Sequence, residues 1–162
     1  DVEALIEHVD TVGSIQGFPD SEPVSGDQFL ELPCEILVPA AVEGVITSNN
    51  ADRIKASVVV EGGNHPTTPM ADIILNHKGT VIMPDILVNA GGVVVSYFEW
   101  AQNIQQFRWE ESRVNQELEK IMKKSTNEVF EMAKSRKISL RQAAFYIGVN
   151  RVTRAIDLRG FI

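Results

Sequence analysis

The stretch Ser57-Val58-Val59-Val60-Glu61-Gly62-Gly63-Asn64-His65-Pro66-Thr67-Thr68-Pro69 decides the fold. Its β-branched run predicts a strand, and the glycine pair ends it. The threonine-proline step predicts the N-cap and first position of a helix running to Lys78, before Gly79. Working outward, Glu35-Ile36-Leu37-Val38-Pro39 predicts a strand ended by proline, and Thr80-Val81-Ile82-Met83-Pro84 another. A short helix is predicted from Ser48 to Ile54. The order is strand, helix, strand, helix, strand. The strands are continuously apolar rather than alternating, which predicts a parallel α/β sheet covered on both faces.

Beyond this centre the pattern is helical. Residues 2–12 place Val2, Leu5, Ile6, Val9 and Val12 at helical spacing. Residues 13–26, rich in glycine and proline, predict a loop. After Pro84-Asp85 three helices are predicted, over 88–106, 110–136 and 139–158. The second carries the stripe Val114, Leu118, Ile121, Met122, Val129 and Met132, and the third Leu140, Ala143, Ala144 and Ile147. The fold class predicted is α/β: a partial Rossmann-like, doubly wound parallel sheet with a helical C-terminal cap. Residues 1–106 are expected to form the partial α/β part, and residues 107–162 a helical segment packed on the same domain.

Composition narrows the function. The 162 residues are 44% hydrophobic and 23% charged, which excludes disorder, and no apolar run is long enough for a membrane span. The acidic opening Asp-Val-Glu-Ala has no basic region of the kind that starts a signal peptide. A single cysteine, Cys34, excludes an internal disulfide and fits a reducing compartment. The net charge of −7 argues against wholesale nucleic-acid binding. The charge is uneven, however: seven basic residues stand against Asp157 alone from Lys134 onward, so the tail is +6 and the rest −13.

In an open parallel sheet, ligands sit beyond the carboxyl ends of the strands. Those ends read Pro39-Ala40-Ala41-Val42-Glu43, Glu61-Gly62-Gly63-Asn64-His65-Pro66, and Pro84-Asp85 leading to Asn89-Ala90-Gly91-Gly92. Alanines and glycines let the backbone approach a flat ligand, and asparagines offer donor and acceptor together. Such ends suit a ribose or carboxamide better than a metal or a nucleophile. Ordinary turn chemistry accounts for any one of them, but less easily for three in register. Asn89, Val93 and Ser96 fall at i, i+4 and i+7, on one helical face.

The eleven glycines never occur as Gly-x-Gly, so neither a dinucleotide phosphate fingerprint nor a P-loop is present. His8, His65 and His77 have no metal-ligand spacing. His65 reads as a solvated turn residue, Cys34 as core, Asp85 as an orienting or capping group, and Glu99 and Trp100 as packing or pairing within the helical cap.

The run from Glu61 to Asp72, followed by Pro84-Asp85-Ile86-Leu87-Val88-Asn89-Ala90-Gly91-Gly92-Val93-Val94-Val95-Ser96-Tyr97-Phe98-Glu99-Trp100, closely resembles the coenzyme domain of glutamate dehydrogenases. The resemblance spans practically the whole chain and includes Pro39-Ala40-Ala41. It implies interconversion of glutamate with 2-oxoglutarate and ammonia, with NAD or NADP as cofactor. By matching position, Ala40 and Ala41 would line the nucleotide, Asn64 would contact the nicotinamide ribose, and Asn89 the carboxamide. Ser96 would bond the substrate's side-chain carboxylate, and Val93 would pack on the substrate.

Gly63 stands where the family usually has alanine, and His65 where glycine is common. The Gly-rich phosphate turn and a substrate domain with the catalytic lysine and aspartate would lie upstream of Asp1. No catalytic residue is therefore expected in this chain, and by itself it is expected to be inactive. The expected partners are glutamate or 2-oxoglutarate, the missing substrate domain, and further copies in a hexamer, with no nucleic acid and no membrane. The expected compartment is the cytoplasm, with a mitochondrial or plastid matrix as the alternative. Without preceding strands the Ile36-Leu37-Val38 edge would be open, to be met by residues 13–25, a second copy or another chain.

Two rival readings remain at this level. One is a non-catalytic binding or assembly module that keeps the fold. The other takes Ser139 to Arg151 as the front of a DNA-binding helix-turn-helix turning at Gly148. Arg154 and Asp157 spoil the second, since they fall where packed apolar residues are needed.

Overall fold

A computed structural model describes residues 1–160, so the last two residues of the 107–162 segment lie outside it. The elements are α1 (Val2–Val12), α2 (Gly26–Leu30), β1 (Ile36–Leu37), a 3-10 turn (Ala51–Arg53), β2 (Val58–Val60), α3 (Pro69–His77), β3 (Val81–Met83), α4 (Asp85–Val88), α5 (Ala90–Gln105), α6 (Glu111–Arg136) and α7 (Leu140–Arg159). The strands form a parallel sheet in the order β1-β2-β3. Its register sets Leu37 beside Val59 and Val59 beside Ile82. All three are buried in one core with Ile46, Ala51, Ile54, Ala56, Ala71 and Leu75.

The other face differs from the expectation of a sheet covered on both sides. Met83 packs against a second core of Leu87, Val129, Ala133, Ala143 and Ala144, built by α4, α6 and α7. Ile36 and Val81 on that same face remain 58% and 46% exposed. The cap reaches the carboxyl end of β3 but leaves β1 bare. Among the described residues β1 pairs with β2 alone, and residues 13–25 add no strand to its free edge.

The helices differ from expectation at three points. The helix foreseen over 48–54 is only the 3-10 turn, because Asn50 turns its side chain inward. Its amide donates to Val45 O at 2.8 Å, and its Oδ1 accepts from Thr47 N at 2.8 Å. The helix foreseen over 88–106 forms as α5 with Asn89 at its N-cap, and a separate single turn, α4, precedes it unforeseen. At the end of the stretch expected as loop, Ser25 starts α2 through a reciprocal capping box with Gln28.

The long helices follow their stripes. α7 starts at a second capping box, Ser139 with Gln142, and continues unbroken through Gly148 to Arg159. A helix-turn-helix needs a turn there, so that reading fails. α1 forms as expected, yet Val2, Ile6 and Val12 stay exposed. Among the described residues, no helix is long and apolar enough to cross a membrane.

Candidate functional site

The strand ends meet at a pair of amides. Past β1, Pro39 accepts a hydrogen bond from Gly63 N at 2.9 Å, which draws the two loops together. A Cβ on Gly62 would lie 3.1 Å from that of Ala40, so glycine is what lets the backbones approach this closely. Asn64 follows, exposed at the tip of β2. From the third strand end, one turn of α4 brings Asn89 to the same place. Its Nδ2 donates to Asn64 Oδ1 at 2.7 Å and, more weakly, to Gly62 O at 3.4 Å. Asn89 Oδ1 and Asn64 Nδ2 then have no partner among the described residues, which leaves one acceptor and one donor side by side.

The other expected residues sort around this pair. Val93 and Ser96 lie on α5 in the turns after Asn89, both exposed, Val93 at 75%. Ala40 and Ala41 both line a cleft of about 600 Å³ whose other wall includes Asp27, Phe29, Leu30, Asn49 and Arg53. Ala40 thus touches both the amide loop and the cleft. The cleft was not foreseen, because no element was expected between Gly26 and the first strand, where α2 supplies its wall. His65 is the exposed turn residue expected, with a left-handed φ of 48°. Cys34 packs half-buried against the first core. Glu99 and Trp100 are not packed inward, and of the two expected alternatives Trp100 shows pairing, within α5. Both are exposed, and the Trp100 ring meets only Tyr97 among the described aromatics, 5.7 Å away. The stripe of α5 faces inward at Phe98 instead, which stacks on Trp109 at 5.3 Å.

Beneath the amides lies an ionic cluster that the sequence did not reveal. Glu61, completely buried at the end of β2, accepts from Arg141 Nη2 at 2.6 Å and from Asp85 N at 2.9 Å. The same guanidinium donates to Asp72 at 2.7 Å and to Asp85 Oδ1 at 3.3 Å. Asp85 Oδ2 in turn accepts from His65 N at 2.8 Å. Burial works against the Arg141 charge, but the hydrogen bonds and charges of Glu61 and Asp72 outweigh it and hold its pKa above the usual arginine value. Asp85 thus orients the loop, as its place beside Pro84 suggested. Arg141 had stood out only as one charge of the basic tail, and 80 residues separate it from Glu61. No local spacing could have joined them. Another tail arginine, Arg151, pairs with Glu128 of α6, so part of the basic tail answers acids of the body.

A three-stranded parallel sheet followed by a helical cap defines the class as a mixed α/β, Rossmann-like fold. More narrowly, the chain belongs to the Glutamate/Leucine/Phenylalanine/Valine dehydrogenase family, whose model matches residues 1–160. The glutamate dehydrogenase of Thermotoga maritima is 47% identical over 160 residues, covering 99% of this chain and 38% of the relative. Among solved structures, the hetero-hexameric glutamate dehydrogenase of Thermus thermophilus, in its leucine-bound form, superposes with a TM-score of 0.88 at 30% identity. It covers 99% of this chain and 38% of its own. The glutamate dehydrogenase of Peptoniphilus asaccharolyticus matches at 42% identity with a TM-score of 0.72, over 77% of this chain and 32% of that one. The chain therefore spans little more than a third of the length of the relatives it matches.

Proposed function

We propose that this chain is the coenzyme-side part of an NAD(P)-dependent dehydrogenase that deaminates L-glutamate to 2-oxoglutarate and ammonia. The observation that carries the reading is the Asn89–Asn64 amide pair, closed at 2.7 Å above the bare backbone of Gly62 and Gly63. A nicotinamide carboxamide is itself one donor group and one acceptor. Asn89 Oδ1 would take its N–H, while Asn64 Nδ2 would face a ribose hydroxyl. When bound, the coenzyme supplies the hydride acceptor for the substrate's Cα–H. The chain's own part is to bind and orient. Ala40 and Ala41 present a smooth wall to the nucleotide, and Asn64 and Asn89 fix the nicotinamide. One helical turn further, Val93 packs on the amino acid and the Ser96 hydroxyl donates to its side-chain carboxylate. Asn89 at the cap of α5 and Val93 and Ser96 within it thus address cofactor and substrate from one element.

Catalytic acid–base groups would come from a substrate domain outside these 162 residues, and a hexamer of whole subunits in the cytoplasm belongs to the same proposal. The purified chain alone is therefore expected to form no NADH or NADPH from glutamate, and measurable turnover would count against the proposal. The direct test grafts residues 1–160 in place of the matching segment of the Thermotoga maritima enzyme. Glutamate-dependent NAD(P)H formation is expected. Asn89→Ala should raise the KM for coenzyme, and Ser96→Ala the KM for glutamate, each by roughly tenfold, the worth of one well-placed hydrogen bond. A folded, active graft indifferent to both substitutions would refute the reading. An inert but folded graft would favour a binding module that has kept the fold without the chemistry.

A further inference from the structure

We infer that Asp85 is a positioning residue that sets the geometry of the two amides, and that Arg141 of the C-terminal helix holds it in place. The inference rests on the role just proposed for Asn64 and Asn89, and adds residues that touch neither coenzyme nor substrate.

Asp85 is joined to both amides by separate bonds. Through its side chain, Oδ2 accepts from His65 N at 2.8 Å, which fixes the residue next to Asn64. Through its main chain, the carbonyl accepts from Asn89 N at 3.1 Å and so closes the single turn of α4 that presents Asn89. Its Oδ1 also accepts from Ile86 N at 2.8 Å, which ties the carboxylate to the start of that turn. Moving this carboxylate therefore shifts both members of the amide pair. His65 needs such an anchor. Its left-handed φ is unfavourable for a residue with a side chain and must be held by its surroundings. Gly44 N donating to His65 O at 2.9 Å holds the other side of the same residue.

Arg141 fixes the carboxylate from below. Its three donor groups reach Asp85, Asp72 and the buried Glu61, and Glu61 also accepts from Asp85 N. The planar fork satisfies all three carboxylates from one rigid group, a geometry that lysine's single ammonium cannot reproduce. The C-terminal helix is thus connected to the amide pair through Asp85.

Asp72 provides the control. It shares the guanidinium with Asp85 but has no bond to residues 64, 65 or 89. In the full chain without coenzyme, Asp85→Asn and Arg141→Lys should speed hydrogen exchange at the His65 amide about tenfold or more relative to Asp72→Asn. In the graft, Asp85→Asn should raise the KM for coenzyme about tenfold while the KM for glutamate stays within about twofold, and Asp72→Asn should change neither. If Asp85→Asn does not fold, Arg141→Lys is read in both assays with the same expectation. Equal exchange at His65 in the Asp85, Arg141 and Asp72 variants would overturn the inference. So would an unchanged coenzyme KM in a graft where Asn89→Ala does raise it. If Asn89→Ala has no effect, the functional reading fails, and the exchange experiment still decides the role of Asp85.

Discussion

Replacing Arg141 by methionine is expected to destabilise the chain by about 3–5 kcal/mol, the cost of stranding a buried partner. The size follows from where the charges sit. The Glu61 side chain is fully buried and that of Arg141 only 18% exposed, so little water is at hand to replace the guanidinium. Methionine fills the stem's volume but offers no donor. Glu61 keeps its bond from Asp85 N on one oxygen and loses its partner on the other. Adding Glu61→Gln removes the stranded charge, and the double variant should recover about 1–3 kcal/mol of the loss. The two substitutions must therefore be strongly non-additive. Equilibrium urea unfolding of the four proteins in the cycle, compared by midpoint at constant slope, measures the coupling. Losses that simply add within about 0.5 kcal/mol would refute the reasoning. A single-variant loss below about 1 kcal/mol would do the same, since that is the worth of a solvated surface pair.

Three further outcomes are expected. Leu75→Ala, at a completely buried site between α3 and the sheet, should cost about 2–5 kcal/mol in the same unfolding assay. Ser139→Ala removes the α7 capping box and should cost about 0.5–2 kcal/mol, with Ser139→Gly milder than alanine. The hydrogen bond from Arg53 holds the Glu31 carboxyl below its ordinary value of 4.5. An NMR titration should find its midpoint there, and Arg53→Gln should return it upward. Because the folded value is the lower one, this pair's small contribution to stability is complete above the unfolded value and fades as pH falls through the folded one.

How far the sequence could be read differs from element to element. β2 and α3 were legible because their signals are local: a valine run, a glycine stop and a Thr-Pro start. The register that buries Leu37, Val59 and Ile82 in one row follows from the same short strands. α1 shows the limit of periodicity, which predicts that a helix forms but not what covers it. α2 was hidden because its serine cap lies among prolines and glycines that otherwise signal loop. The single turn of α4 was hidden for the opposite reason, since its apolar Ile86, Leu87 and Val88 run straight on into the helix that Asn89 begins. Within the candidate site, the meeting of Asn64 and Asn89 was legible from strand-end logic. The cluster of Glu61, Asp72, Asp85 and Arg141 was not, because its members share a place only after the chain has folded.

The turn between Asp85 and Asn89 acts as a ruler. Four residues of helix span about 6 Å, and each residue swings the next side chain by about 100° around the axis. One residue inserted there would leave the carboxylate on its loop but rotate the carboxamide off its mate. One deleted would swing it the opposite way. Residues 85–89 should therefore tolerate exchange of Ile86, exposed at 42%, far better than any change of length.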